Sequence, residues 1–288
     1  MEKLWNWAIA SFTLVGKTDE EIISLCRYAG ISAVEADISF VIGKTDAEIE
    51  EVREKYEKAS LALESFHLPF GQAHDISSFY ETLRKQAVKN MEECLEKASM
   101  LGSRTVILHP AANPCTVEEE GLERYITQLG KSLDVLIPKA EKSGVVIAIE
   151  NMLPGEKGNR FGSSPDHFRL FVSKFAHPHL GFCLDTGHAL VSGGPGGPAV
   201  FFETMSQHLV AFHLQDNAGD RDSHLAPGHG LVDWNTIFRS MFKIQYAYSA
   251  CIEAPPFSYG PNYTHSIDSW KKLIEETDSL VRKSIAEN

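Results

Sequence analysis

The sequence lacks the marks of several protein classes. Its cysteines form no CxxC pair and are odd in number, so neither a disulfide framework nor a zinc ribbon is predicted. They are Cys26, Cys94, Cys115, Cys183 and Cys251. No uncharged apolar run approaches the ~18 residues that a membrane span needs, and Met1–Ala10 has no long apolar region typical of a signal peptide. We therefore expect a protein of the reducing cytoplasm that has no membrane partner.

Positive charge is also scarce. The chain has 27 lysines and arginines against 39 aspartates and glutamates, a formal net charge of -12. Nucleic-acid affinity comes mainly from neutralising phosphates, so a nucleic-acid partner is not expected. We find no basic loop with an inserted aromatic residue and no glycine-rich phosphate cradle.

What the sequence does have is an eightfold alternation of short apolar runs with longer amphipathic ones. The runs lack clean polar alternation, which is typical of parallel strands covered by helices. Strands are predicted at Trp5–Ala10, Ala33–Asp37, Leu61–Leu68, Thr105–His109, Val145–Asn151, Leu180–Asp185, Leu209–Leu214 and Ser249–Ala254. Eight such units in 288 residues predict an α/β fold, a single (β/α)8 TIM barrel domain over residues 1–288. An open doubly wound sheet is the structural alternative.

The helices between the strands carry start signals. Thr18 and Thr45 each precede an acidic first turn, and the second has capping-box spacing. One helix is predicted over Val117–Ser143 and a short one near Ala199–His208. The glycine- and proline-rich run Ser192–Pro198 is predicted to be a surface loop, with a mobile lid as the alternative.

Ionisable residues end the last four strands. Glu150, Asp185, His213 and Glu253 stand where a (β/α)8 barrel places its active site. Three ionised carboxylates and one imidazole cannot all pair with one another, and a divalent cation would resolve the repulsion. These oxygen and nitrogen ligands suit Mn²⁺ or Zn²⁺, and also Co²⁺ or Mg²⁺. The alternative is a salt-bridge network with an arginine or lysine at the barrel rim, such as Arg221 or Arg160.

The strand ends resemble those of the xylose-isomerase-like barrels. The segments that carry the resemblance are Ile149-Glu150-Asn151, Leu184–His188, Phe212–Asn217 and Ile252-Glu253. That group includes ketose 3-epimerases of the tagatose-epimerase type, hydroxypyruvate isomerases, inosose dehydratases and endonuclease IV. The resemblance implies that the four residues bind one metal and that Glu150 and Glu253 also exchange the substrate proton. It further implies that His188 and Arg221 contact substrate oxygens.

A second set of residues matches the three-zinc site of endonuclease IV. This resemblance would add His67, His109, His188, Asp222 and His224 to the metal ligands. The alternative is that His67 and His109 bind substrate hydroxyls beside a single metal. Glu35, at the end of the second strand, could orient a ligand or substrate, or could pair with a lysine.

The sequence leaves several functions open. The resemblance favours a metal-dependent isomerase or epimerase that acts on a ketose or related polyol through an enediolate. A dehydratase of the inosose type would use the same intermediate. Two further functions fit the same residues: a zinc phosphodiesterase acting on abasic DNA, and a non-catalytic metal-stabilised sugar-binding protein. Relatives are often oligomers, so a homo-oligomer is expected.

Overall fold

Eight parallel strands close into one barrel. The computed structural model describes residues 5–112, 115–256 and 266–286. Each strand pairs with the next along the chain, and β8 pairs with β1 to close the sheet. The strands are β1 Trp7–Ala10, β2 Ala33–Ala36, β3 Ala62–His67, β4 Thr105–Leu108, β5 Val146–Glu150, β6 Leu180–Asp185, β7 Leu209–Leu214 and β8 Ala250–Ile252. The predicted single (β/α)8 barrel is confirmed, and the open sheet is excluded.

Helices cover the outside of this barrel. They are α1 Asp19–Ala29, α2 Asp46–Lys58, α3 Glu81–Met100, α4 Val117–Glu120, α5 Leu122–Ser143, α6 Pro165–Lys174, α7 Thr186–Gly193, α8 Gly197–Met205, α9 Trp234–Lys243 and α10 Ile267–Ala286. Thr18 and Thr45 cap α1 and α2, as the sequence predicts. Both form capping boxes, although that spacing was predicted only for Thr45. Within the described residues, no helix combines the length and apolarity needed to cross a bilayer.

One helix prediction and one loop prediction were wrong in detail. The helix predicted over Val117–Ser143 is divided at Gly121, whose φ of 83° interrupts the helical backbone. The run predicted as a loop, Ser192–Pro198, instead contains the end of α7, a 3-10 turn over Gly194–Gly196 and the start of α8. Gly197 serves packing, since a Cβ there would lie 2.1 Å from the Ala189 carbonyl oxygen.

The strands are buried on both faces, which explains their apolar sequences. Every residue of β1, β2, β4 and β6 is buried. The parallel arrangement brings all eight carboxyl ends to one mouth of the barrel. The residues that end or follow β5, β6, β7 and β8 therefore face the same space.

Candidate metal centre

The four predicted metal ligands meet at the mouth of the barrel. Glu150 and Asp185 are the last residues of β5 and β6, His213 lies in β7, and Glu253 follows β8. Each offers one ligand atom, and these atoms all lie within 4.8 Å of one another. All four side chains are buried. The register explains the convergence, since Asp185 pairs directly with His213 across β6 and β7.

The charges and distances of this set fit a divalent cation. His213 Nδ1 lies 3.0 Å from Glu150 Oε1 and 3.3 Å from Glu253 Oε2. Two ligands at right angles around a cation, each about 2.1 Å from it, are about 3.0 Å apart. Glu150 Oε2 and Glu253 Oε2 are buried and accept no hydrogen bond of good geometry from the described residues. A cation would satisfy buried carboxylate oxygens that otherwise lack a well-aligned hydrogen bond.

The opposite side of the His213 ring is held by Glu35. His213 Nε2 lies 3.0 Å from Glu35 Oε1, and the other oxygen of Glu35 accepts a 2.8 Å hydrogen bond from the Ser65 hydroxyl. A carboxylate behind a ligating imidazole fixes its tautomer and orientation. Nδ1 is therefore the nitrogen of His213 that faces the metal set. The sequence left the role of Glu35 open, and the structure pairs it with a histidine instead of a lysine.

Asp185 is fixed by a shell of polar residues. The Asn151 side chain accepts from the Asp185 backbone N–H at 2.7 Å and donates to its carbonyl at 2.9 Å. The Gln215 amide donates to both carboxylate oxygens of Asp185, at 3.2 and 3.3 Å. Gly187 makes room for this amide, because a Cβ there would lie 2.1 Å from Gln215 Oε1. Sequence reasoning assigned no role to Asn151 or Gln215, although both sit within two residues of a predicted ligand.

Two of the further predicted ligands stand beside Glu150. His109 Nε2 lies 3.0 Å from Glu150 Oε2, and His67 Nε2 lies 3.8 Å from the same oxygen. Their ring centroids are 5.0 Å apart. The two histidines and Glu150 thus form a group on one flank of the four-residue set.

The remaining three predicted ligands form a group on another flank. His188 Nε2 lies 3.3 Å from Asp222 Oδ2, and His224 Nε2 lies 3.1 Å from the same oxygen. Gln215 donates a 2.5 Å hydrogen bond to Asp222 Oδ1 and so links this group to Asp185. The structure therefore brings together all nine residues that resemble the three-zinc set.

Three of these histidines share one feature. The Nδ1 atoms of His67, His188 and His224 each lie 2.8 Å from a backbone carbonyl, which can only accept a hydrogen bond. Nδ1–H must therefore be the donor, and Nε2 of the neutral ring carries a lone pair. For His188 and His224 that lone pair faces the carboxylate of Asp222, so a proton or a cation must lie between them.

Without a cation, the buried carboxylates would hold protons unequally. Burial raises the pKa of Glu253 to about 8, and the charges of Asp185 and Glu150 add to the effect. Burial also opposes ionisation of Glu150, but His213 and His109 outweigh it and hold the pKa of Glu150 well below its usual range. The buried carboxylates thus compete for positive charge, a state that a bound cation would relieve.

A cavity of about 520 Å³ lies above this centre. Glu150, Glu253, His67, His109, His188, Asp222 and His224 line it. Asp185 and His213 are not among its lining residues within the described chain. Phe12, Phe70 and Met152 provide an apolar wall. This cavity can take a small molecule whose polar face meets the two glutamates.

Arg221 lies outside the cavity. It is exposed on the loop after β7 and does not line the cavity, so its predicted contact with substrate finds no support in this geometry. The arginine that does line the cavity is Arg160, on the loop after β5. The sequence suggested Arg160 only as a salt-bridge partner, because loop positions cannot be registered from strand patterns.

Comparison with known families agrees with this geometry. The profile of the xylose isomerase-like TIM barrel family matches residues 23–279. The chain belongs to this family. The resemblance stated from the strand-end segments is therefore confirmed.

Its relatives in the xylose isomerase-like family are diverse. An uncharacterized protein of Methanocaldococcus jannaschii is 26% identical over 241 residues, which cover 82% of this chain and 76% of that protein. A probable endonuclease 4 of Carboxydothermus hydrogenoformans is 29% identical over 242 residues, which cover 78% of this chain and 79% of that protein. The crystal structure of a D-tagatose 3-epimerase-like protein superposes with a TM-score of 0.78 at 22% identity, covering 97% of this chain and 99% of that one. At that identity the superposition shows the shared fold.

Proposed function

We propose that this protein is a divalent-metal-dependent isomerase or epimerase that acts on a ketose or related polyol. One observation carries the proposal. Of the four residues that can share a cation, the two glutamates line the cavity and the other two do not. Glu150 and Glu253 can therefore contact both a cation and a bound sugar, which is what proton exchange at a carbon next to a carbonyl requires.

The cation, the two glutamates and the histidines would have different roles in the reaction. A bound cation, Mn²⁺ or Zn²⁺ by the ligand set, would polarise the carbonyl and hydroxyl oxygens of the sugar and acidify the carbon between them. One glutamate accepts the proton from that carbon, which leaves the substrate as an enediolate. The other glutamate donates a proton to the opposite face, and the configuration is inverted. His67, His109 and His188 line the cavity within reach of sugar hydroxyls.

Neighbouring residues hold the two predicted ligands that do not line the cavity. Asp185 and His213 lie below the cavity lining and are themselves held by Gln215 and Glu35. Residues held in this way keep a cation in place while Glu150 and Glu253 act on the substrate. A dehydratase would remove water from the same enediolate, and the product of the reaction distinguishes the two.

The test is a screen of ketoses and inososes with protein loaded with Mn²⁺ or Zn²⁺. We expect Glu253→Gln and Glu150→Gln to lower turnover by roughly 10²–10⁴-fold. For Glu253→Gln we expect bound metal to remain by elemental analysis. Glu50→Gln, an exposed substitution on α2, is the matched control. Full activity in both active-site variants would refute the proposal, and sugar binding without turnover would indicate a binding protein.

A second candidate is a zinc phosphodiesterase acting on abasic DNA. The observation that favours it is the pair of flanking groups, His67 and His109 at Glu150 and His188 and His224 at Asp222. These groups would hold two additional cations, and clustered zinc can activate water and stabilise a leaving oxygen. The relative named a probable endonuclease 4 is consistent with this candidate.

Metal content separates the two candidates. The isomerase proposal expects one tightly held cation per chain and no cleavage of an abasic-site duplex. Three zinc ions per chain together with cleavage of that duplex would favour the phosphodiesterase. The homo-oligomeric state and the cytoplasmic location stay predictions.

A further inference from the structure

Arg160 is a cation set into the wall of the active-site cavity. It lies on the loop that follows β5 and lines the same cavity as Glu150 and Asp222. Its Nε donates a 2.6 Å hydrogen bond to the Leu153 carbonyl, which fixes the guanidinium against its own loop. That loop turns tightly next to it, since Gly162 has a φ of 97° and a Cβ there would lie 2.9 Å from the Met152 side chain.

The guanidinium has no acid to pair with in the described protein. No carboxylate of residues 5–112, 115–256 or 266–286 lies within 4.0 Å of it, and its terminal nitrogens donate no hydrogen bond to those residues. Burial lowers the pKa of Arg160, and the more distant charges of Glu150 and Asp222 only partly offset this. A partly desolvated charge without a partner is costly unless a ligand supplies the counter-charge.

The acids nearby cannot serve as that partner when the site is loaded. Glu150 belongs to the candidate metal set, and Asp222 is already shared by His188, His224 and Gln215. Arg160 is also the one lysine or arginine among the cavity-lining residues that the structure describes. A negative group on a ligand that lies away from the metal set and the histidines would therefore find its counter-charge at Arg160.

There is room for such a group. Arg160 also lines a second cavity of about 410 Å³, whose lining includes Thr116, Lys157 and Glu156. Because Arg160 lines both cavities, a group bound at its guanidinium can face either of them. The planar guanidinium offers two parallel donors, which match the oxygens of a carboxylate or a phosphate better than a single hydroxyl.

We propose that Arg160 binds an oxyanion, a carboxylate or a phosphate, at the end of the substrate remote from the reacting carbon. The inference rests on the proposed sugar chemistry and narrows its substrate class to sugar acids or sugar phosphates. Neutral ketoses would leave the guanidinium without a partner and would bind weakly.

The test uses three ligands that share one skeleton and differ at C6. D-Fructose, D-fructuronate and D-fructose 6-phosphate are titrated calorimetrically into the Mn²⁺-loaded full-length chain. We expect wild-type protein to bind one of the two anions roughly ten- to hundredfold more tightly than D-fructose. The identity of the tighter anion tells a carboxylate from a phosphate.

Variants assign that preference to Arg160. Arg160→Gln should remove it, and Arg160→Lys should keep only part of it because a point charge replaces the two-pronged donor. Arg27→Gln, an exposed change on α1, is the matched control. Elemental analysis of bound Mn²⁺ and thermal melting show whether the variants keep the metal and the fold.

The outcomes separate this inference from the proposed function. Equal binding of the three ligands by wild-type protein, no binding of any of them, or a preference that survives in Arg160→Gln overturns the inference. An anion preference that depends on Arg160, without turnover of any sugar, would support the inference and refute the isomerase.

Discussion

Replacing Glu35 tests whether the metal site depends on a residue that need not touch the metal. Glu35 Oε1 lies 3.0 Å from His213 Nε2, and Ser65 holds the other oxygen at 2.8 Å. A hydrogen bond between an imidazole and an ionised carboxylate contributes about 1.5–3 kcal/mol. Loss of such a partner usually weakens metal binding by about 10- to 100-fold. Glu35→Gln keeps a hydrogen-bond acceptor but loses the charge, so we expect it to weaken metal binding by about 10-fold. Glu35→Ala removes the acceptor as well and should weaken metal binding by nearly 100-fold.

The assay is a competition titration of Mn²⁺ or Zn²⁺ against a chromophoric chelator. Ser65→Ala should give a smaller loss than Glu35→Gln, because it removes only the hydrogen bond that holds Glu35. Glu50→Gln on the surface of α2 is the control and should bind metal as wild type does. An unchanged dissociation constant in a folded Glu35→Ala protein would refute the dependence of metal binding on Glu35.

Three further predictions concern pH, packing and stability. Burial holds a proton on Glu253 up to about pH 8, and neighbouring acids outweigh burial and raise the pKa of His213 well above its usual value, so a cation must displace protons from both residues. The association constant for Mn²⁺ should therefore rise at least tenfold per pH unit between about pH 6 and pH 8, and a flat calorimetric profile would contradict this. Gly187→Ala should lower the free energy of unfolding in urea by about 1–3 kcal/mol, because the added Cβ would displace Gln215. Gly193→Ala is the control and should leave that free energy unchanged, since a Cβ there meets nothing within 4 Å. Equal losses in the two variants would contradict the role of Gly187 in packing. A cation at 100 times its dissociation constant should add about 2.7 kcal/mol to the free energy of unfolding and raise Tm by about 4–5 °C, and EDTA should reverse the shift. A Tm that responds to neither would show that the folded protein does not bind the ion.

Much of the architecture could be predicted from the sequence because the strands are buried on both faces. Their apolar runs predicted β6 and β7 with the bounds that the structure shows, Leu180–Asp185 and Leu209–Leu214. The ends of parallel strands must share one mouth, so the convergence of the four predicted metal ligands also followed. The loop prediction for Ser192–Pro198 failed because glycine and proline usually signal turns, whereas here Gly197 lets α8 pack closely against Ala189 of α7.

The supporting residues of the site could not be found in this way. The partnership of Glu35 with His213 joins residues 178 positions apart, and only the closed barrel brings them together. Arg160 and Arg221 sit on loops, where strand periodicity gives no register. The arginine chosen from the resemblance is exposed, and the one inside the cavity was identified by the structure.

Anomalous diffraction from crystals soaked in Mn²⁺ shows whether the four strand-end residues share one cation. We predict a peak about 2.0–2.3 Å from side-chain atoms of Glu150, Asp185, His213 and Glu253, with Nδ1 as the histidine ligand. Weaker peaks beside Asp222 or His109 would add ions without changing that result. Crystals in which the four side chains share no ion at saturating Mn²⁺, with a peak only elsewhere or none at all, would contradict it.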